Sequence, residues 1–211
     1  MADADCPYVS RGGLKLEHAM REFGVDAAGL VCADLGASTG GFTDCLLRHG
    51  ASRVYAVDTA YGEFAWALRN DPRVVVMERA NALHTDPPPE VVEIGGVDLV
   101  VIDLGWTKQQ FAIPAALRWL KRSGRIISLI KPHYEIGDRL RRGGAPTVLD
   151  EAEAEAAARL IAERMPEWGA RTIAMTRSPV LGGAVSGKKK GKGTGNPEWL
   201  ALLQIATGQI P

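Results

Sequence analysis

No apolar run in the 211 residues is long enough to span a bilayer, which argues against a membrane protein. The opening residues, MADADCPYVSRGG, hold two early aspartates and no apolar centre, so no signal peptide is expected. Cysteine is scarce. Cys6, Cys32 and Cys45 are odd in number, and no pair has metal-finger spacing. The expectation is reduced thiols in a cytoplasmic protein, with no bound metal. Net charge is missing too, because 25 Lys and Arg residues meet 25 Asp and Glu residues. Overall charge therefore makes no case for nucleic acid, and any such case rests on local clusters. Two phosphate-binding signatures are also lacking. No G-x-G-x-x-G follows the first apolar run. No lysine follows the glycines there, as G-x-x-x-x-G-K-[ST] requires.

What is present is a globular composition, 46% hydrophobic and 24% charged. The span 1–211 reads as one domain, with an N-terminal segment and helix over 1–25 and a Gly/Lys-rich loop over 182–197. Apolar spacing predicts a helix from Arg11 to Phe23. Short apolar runs then alternate with amphipathic ones. Strands are expected over 30–35, 52–58, 73–77, 97–104 and 125–131, and helices over 42–49, 63–69 and 111–121. A helix over 150–165, capped by Asp150, precedes strands over 170–176 and 199–205. DPPPE (86–90) reads as a stiff surface turn. The sum is an α/β fold: a seven-stranded, mostly parallel sheet with helices on both faces.

The stretch DLGASTGGF (34–42) follows the first expected strand. Its pattern, Asp34-x-Gly36-x-x-x-Gly40-Gly41, suits a cofactor that is not a diphosphate. An acid at the strand tip repels phosphate but receives a cationic amino-acid or sulfonium group, and the glycines let backbone approach the ligand. Asp58 ends the next strand, where an acid accepts hydrogen bonds from ribose hydroxyls. Together these point to S-adenosylmethionine on a Rossmann-like methyltransferase fold. Ala37, Ser38, Thr39 and Phe42 belong to the same loop, and Asn81, after the third strand, is placed for the adenine. A tight turn without a ligand is the plainer reading of the glycines.

YVSRGGLKLEHAM (8–20), DLGASTGGFTDCLL (34–47), VYAVD (54–58), LRNDPRVVVMERAN (68–81), LVVID (99–103), LIKPHYE (129–135) and the SPVLGG and GNPEWL blocks resemble the TlyA-type ribosomal RNA 2′-O-methyltransferases of the FtsJ-like group. The resemblance runs from about Tyr8 to about Ile205. It implies a small N-terminal RNA-binding domain ahead of YVSRGG. Only seven residues precede Tyr8, so that domain is expected to be lacking. LGWTKQQ stands where the family has an S-F-I-S-like block, and KPHYE stands for KPQFE. The family's Lys-Asp-Lys-Glu tetrad falls on Lys15, Asp103, Lys131 and Glu198.

A ribose hydroxyl is a poor nucleophile until its proton is removed or shared. Lys131 is expected to be the base or hydroxyl-activating group. Burial and the neighbouring Lys15 ammonium would depress its pKa below the free value near ~10.4. Lys15 would orient ribose or phosphate, and Asp103, also in reach of the cofactor, would hold the lysines with Glu198. By residue type alone Lys15 is a solvated helix-face residue and Glu198 an exposed acid. Basic residues cluster from Arg118 to Arg142 and from Lys188 to Lys192. Arg11, Arg139, Arg141, Arg142, Lys188, Lys189 and Lys190 are expected to rim the pocket and meet RNA phosphates. The partner implied is ribosomal RNA or a ribosomal subunit, bound by a monomer or homodimer. The alternatives are a methyltransferase with another acceptor and a non-catalytic RNA-binding or ribosome-assembly protein that binds the cofactor. A haemolysin label attached to the family finds no support in spanning segment or leader.

Overall fold

A computed structural model describes residues 6–136, 149–182 and 195–206. Its strands are β1 (Val31–Leu35), β2 (Arg53–Val57), β3 (Val74–Met77), β4 (Val97–Ile102), β5 (Leu120–Ile130), β6 (Ala170–Arg177) and β7 (Trp199–Ile205). They form one seven-stranded sheet in the order β3-β2-β1-β4-β5-β7-β6. Every pairing from β3 to β5 is parallel, and β7 runs antiparallel to both of its neighbours.

Alternate residues of a strand face opposite sides, and here both sides are apolar. Cys32, Val54, Leu99, Val101 and Ile127 pack against Leu16, Met20, Phe42 and Leu46. These come from α1 (Gly12–Phe23) and α2 (Gly41–Arg48). Ala33, Leu35, Tyr55, Val100, Ile102 and Ile126 pack on the other side against Val91, Ile113, Ala116, Ala158 and Ile161. Those helices are α4 (Pro89–Glu93), α5 (Gln109–Leu117) and α7 (Glu151–Arg164), while α3 (Trp66–Arg69) and α6 (Pro132–Glu135) are single turns. The fold is therefore the expected three-layer α/β architecture. No helix among the described residues is long and apolar enough to cross a membrane.

Boundaries shift from expectation where proline intervenes. DPPPE does not simply turn: Pro88 caps α4 and Pro89 opens it, a position where a missing N–H costs nothing. Pro132 opens α6 in the same way. Both helices are too short for periodicity to reveal. The helix expected over 111–121 begins at Gln109 and stops at Leu117, and Lys121 belongs to β5 instead.

The basic run that starts at Arg118 divides in space. Arg125 and Lys131 are six residues apart along an extended strand, which separates them by about 20 Å. Lys121 pairs with Asp98 at 2.9 Å and Arg118 with Asp86 at 3.5 Å, at the far end of the sheet from Lys131. Only the Lys131 end of β5 reaches the crevice.

From β1 the chain steps outward to β2 and β3, then returns to place β4 on the other side of β1. That reversal opens a crevice beyond the carboxyl ends of β1 and β4, where open α/β sheets bind ligands.

The best-capped helix offers a check on local energetics. The Asp150 carboxylate accepts from the Glu153 amide at 2.8 Å, and the Glu153 side chain accepts from the Asp150 amide at 3.3 Å. Asp150→Ala is expected to lower stability by about 1 kcal/mol, read from the urea midpoint.

Candidate active site

The crevice holds a cavity of about 770 Å³, within the range of small-molecule sites. Its walls are the tips of β1, β2, β4 and β5. Backbone bonds lock these tips to one another. Gly36 and Ala37 donate to the Val57 carbonyl at 2.9 and 3.2 Å, and Asp103 donates to the Leu35 carbonyl at 3.1 Å. Gly36 has φ +95, and a Cβ there would lie 2.5 Å from the Asp103 carbonyl oxygen. Glycine is thus required where β1 and β4 part.

The glycine pairs of YVSRGG and STGGF turn out to pack against one another. A Cβ on Gly41 would meet the Ser10 hydroxyl at 2.2 Å, and one on Gly13 would meet the Tyr8 ring at the same distance. The Val9 amide donates to Asp44 on α2 at 2.9 Å. This close approach seats α1 over the cavity and turns Lys15 inward, so that it is buried along with Leu16 and Ala19 of the same helix. Its Nζ donates to Glu198, 183 residues later, at 2.5 Å. Glu198 stands at the start of β7 and is 3% exposed. A Cβ on Gly182 would strike its carboxylate at 2.3 Å, so this acid too is enclosed by glycine. Neither Lys15 nor Glu198 behaves as residue type alone suggests.

Asp103 and Lys131, at the ends of β4 and β5, form a second pair at 2.5 Å. Lys131 Nζ also donates to the Leu104 carbonyl at 3.2 Å. Lys15, Asp103 and Lys131 all line the cavity, and Glu198 lies behind Lys15. The electrostatics differ from expectation. Burial pushes the Lys131 ammonium down, but Asp103 beside it outweighs this and holds its pKa above the ordinary value. Burial resists ionisation of Asp103, yet Lys131 and Lys15 bring it below the usual carboxylate range. Burial raises Glu198, with Lys15 opposing. The expected depression of Lys131 by Lys15 is not what governs it, because Asp103 lies beside it.

The remaining loop residues divide into wall and support. Gly36, Ala37, Ser38, Thr39, Gly41, Phe42, Asp58, Asn81 and Arg11 line the cavity. Gly40 does not. It caps α2 at φ +101, and a Cβ there would meet Leu68 at 2.5 Å. Asp34 is likewise absent from the wall. It is wholly buried, its Oδ2 accepts from the Thr43 hydroxyl at 2.7 Å, and its Oδ1 has no hydrogen-bond partner among the described residues. Burial pushes its pKa up to about 7, against the Thr43 bond. Asp58 accepts from the Ser38 and Ala60 amides, one on each oxygen, at 2.8 and 2.7 Å. Each oxygen retains a further lone pair. Asn81 Oδ1 accepts from the Leu83 amide at 3.0 Å, which shapes the turn after β3. Arg139, Arg141, Arg142, Lys188, Lys189 and Lys190 lie outside the described residues.

The cavity also recruits residues that motif spacing did not single out: Ser10, Thr59, Glu63, Leu104, Thr107 and Val180. Ser10 was within reach, since it lies inside YVSRGG. Among the described residues three non-glycine residues have positive φ, and two of them, Ser38 at +49 and Trp106 at +48, stand on the cavity wall. Such backbone clusters at functional sites. Trp106 is 83% exposed, so it is no core residue.

Comparison with known proteins adds the rest. The family model of FtsJ-like methyltransferases matches residues 8–183. The 16S/23S rRNA (cytidine-2′-O)-methyltransferase TlyA of Mycobacterium tuberculosis is 41% identical over 208 residues, which cover 98% of this chain and 72% of that one. A solved structure from Streptococcus thermophilus that carries a hemolysin label aligns with TM-score 0.82 at 32% identity, over 96% of this chain and 69% of its own. A Listeria monocytogenes structure described as an S-adenosylmethionine-dependent methyltransferase aligns with TM-score 0.60 at 13% identity, over 92% of this chain and 98% of its own, a likeness of fold alone. A glycine-lined crevice at the switch of a Rossmann-like sheet, met by a family match over most of its length, makes this chain a member of the FtsJ-like methyltransferases, of the TlyA type.

Proposed function

We propose that the chain transfers a methyl group from S-adenosylmethionine to a ribose 2′-hydroxyl of ribosomal RNA in the cytoplasm, using Lys15, Asp103, Lys131 and Glu198. The observation that carries this reading is the pair of ammonium–carboxylate contacts, each 2.5 Å, at the glycine-lined cavity. The named activity of the Mycobacterium tuberculosis relative supports it.

The residues fit the cofactor. S-adenosylmethionine supplies a methyl carbon on a positively charged sulfur. Backbone from Gly36 to Thr39 offers close approach, Asp58 offers carboxylate oxygens to a ribose, and Asn81 offers an amide to the base. Asp34, buried behind this loop, accepts from the Thr43 hydroxyl at 2.7 Å and so supports the wall without lining it.

An ammonium carries three N–H donors. On Lys131, Asp103 and the Leu104 carbonyl take two, which leaves a third for the 2′-oxygen. Loss of that proton to solvent makes Nζ an acceptor, and the hydroxyl proton would end on Nζ as the 2′-oxygen takes the methyl group that bound S-adenosylmethionine would supply. Because Asp103 holds the Lys131 pKa up, the base form is scarce at neutral pH. Lys15, neutralised by Glu198, orients ribose or phosphate without adding net charge. Arg11 and Trp106, exposed at the mouth, would meet phosphate and base.

Three outcomes follow. Wild type should place labelled methyl on ribosomal RNA at an alkali-resistant linkage, and Lys131→Ala should lower the rate by about 10²–10⁴-fold with cofactor affinity kept. Binding of cofactor without transfer to any RNA would instead favour another acceptor or a binding-only role. The single-turnover rate should rise with pH between about 6 and 9, and Asp103→Asn, though slower overall, should shift that rise towards acid. Trp106→Ala should weaken RNA binding by about 1–3 kcal/mol, the range for a base stacked on an aromatic ring, seen in KM for RNA more than in kcat.

A further inference from the structure

The geometry points to Gln109 as a positioning residue: we infer that it sets the Lys131–Asp103 contact from both sides. The inference rests on the tetrad reading above and adds a residue which that reading does not use. Gln109 is the first residue of α5 and closes the segment that begins at Asp103. It is 3% exposed, an uncommon place for an amide side chain. Its side chain is engaged at both ends. The Ser128 hydroxyl donates to Oε1 at 2.7 Å, and Nε2 donates to the Leu129 carbonyl at 3.1 Å. Its main-chain N–H donates to the Glu135 carboxylate at 2.8 Å.

Leu129 lies two residues before Lys131, and Glu135 lies four residues after it. One residue therefore grips β5 below the lysine and α6 above it. The same residue anchors the far end of the loop whose Leu104 carbonyl accepts from Lys131 Nζ. A shift of α5 along its axis would move that carbonyl relative to the ammonium. The side-chain bonds to Ser128 and Leu129 oppose such a shift because they are directional, as an apolar contact is not. Small displacements of reacting groups carry large rate penalties. A buried glutamine at this point thus does what a leucine of similar size would not.

The test separates positioning from simple core satisfaction. Gln109→Leu with Ser128→Ala removes the amide and the hydroxyl together, so no hydroxyl is left orphaned; the Leu129 carbonyl loses one donor, and a modest fall in Tm is expected. Ser128→Ala alone keeps the Leu129 and Glu135 bonds and should behave as an intermediate. The primary readout needs neither cofactor nor RNA: NMR titration of lysine side chains labelled at Cε, with the Lys131 signal assigned from Lys131→Arg. The charged and titratable groups that face Lys131 are Asp103, Glu198 and Tyr134, with Lys15 beside the pair and His133 adjacent in α6. None is altered by these substitutions. The Lys131 signal should titrate at lower pH in the double variant than in wild type. In the methyl-transfer assay kcat should fall about tenfold with both KM values held. A lower Tm with an unmoved Lys131 titration would reduce Gln109 to a core residue and overturn the inference, as would a double variant with wild-type titration and rate. A moved titration in a protein that transfers no methyl would uphold the brace while the function proposed above fails.

Discussion

Two lysines and two carboxylates share one poorly hydrated place, and the rest of the site depends on how their charges are matched. Each ammonium has a carboxylate at 2.5 Å, and no member of either pair has more than a quarter of its side chain exposed. Removal of one partner from such a pair leaves an uncompensated charge, at a cost of about 3–5 kcal/mol. Four charges in register sum to zero, so the proposed sulfonium and RNA phosphate would enter without meeting strong repulsion. Matching also sets the chemistry. A lysine that faces only another lysine would lose its proton readily, whereas Lys131 beside Asp103 keeps it. In the proposed reaction Lys131 would donate to the hydroxyl until its own proton is lost, and only then accept the hydroxyl proton.

The sheet delivers these groups through glycine. Asp103 and Lys131 come from the ends of adjacent parallel strands, a position the fold leaves open for ligands. Lys15 and Glu198 come from outside that parallel core, from a helix before β1 and from the antiparallel β7. Bringing them in requires close approach at glycine: Gly12 and Gly13 against the start of α2, Gly36 against the Asp103 carbonyl, and Gly182 against the Glu198 carboxylate. The glycines of the opening motifs thus serve packing between α1 and α2 as much as approach to a ligand. That is a different role from the phosphate cradles which their spacing fails to match.

Much of this was legible in the residues. The alternation of apolar runs predicted the sheet, β7 fell on its expected boundaries, and strand-end reasoning singled out Asp103 and Lys131, which the structure places on the cavity wall. Lys15 and Glu198 were legible only through family resemblance, because no local pattern signals a partner 183 residues away. Residue types gave the charges but not the pairing, so a depressed Lys131 was the natural, incorrect expectation. Clustering in sequence also says little about clustering in space: Arg125 and Lys131, in one basic run, stand about 20 Å apart along β5. Asp34 fitted its motif, yet the chain buries it away from the wall.

The central claim is that the two ion pairs work as a single unit. The most direct test is a double-mutant cycle under single-turnover conditions, with Lys15→Ala, Lys131→Ala and the two together assayed for methyl transfer to ribosomal RNA. Residues that act as a unit are strongly non-additive, so the double variant should be scarcely slower than Lys131→Ala alone. Losses that simply multiply would mean that Lys15 and Lys131 contribute independently, and the paired site described here would not be the reacting centre.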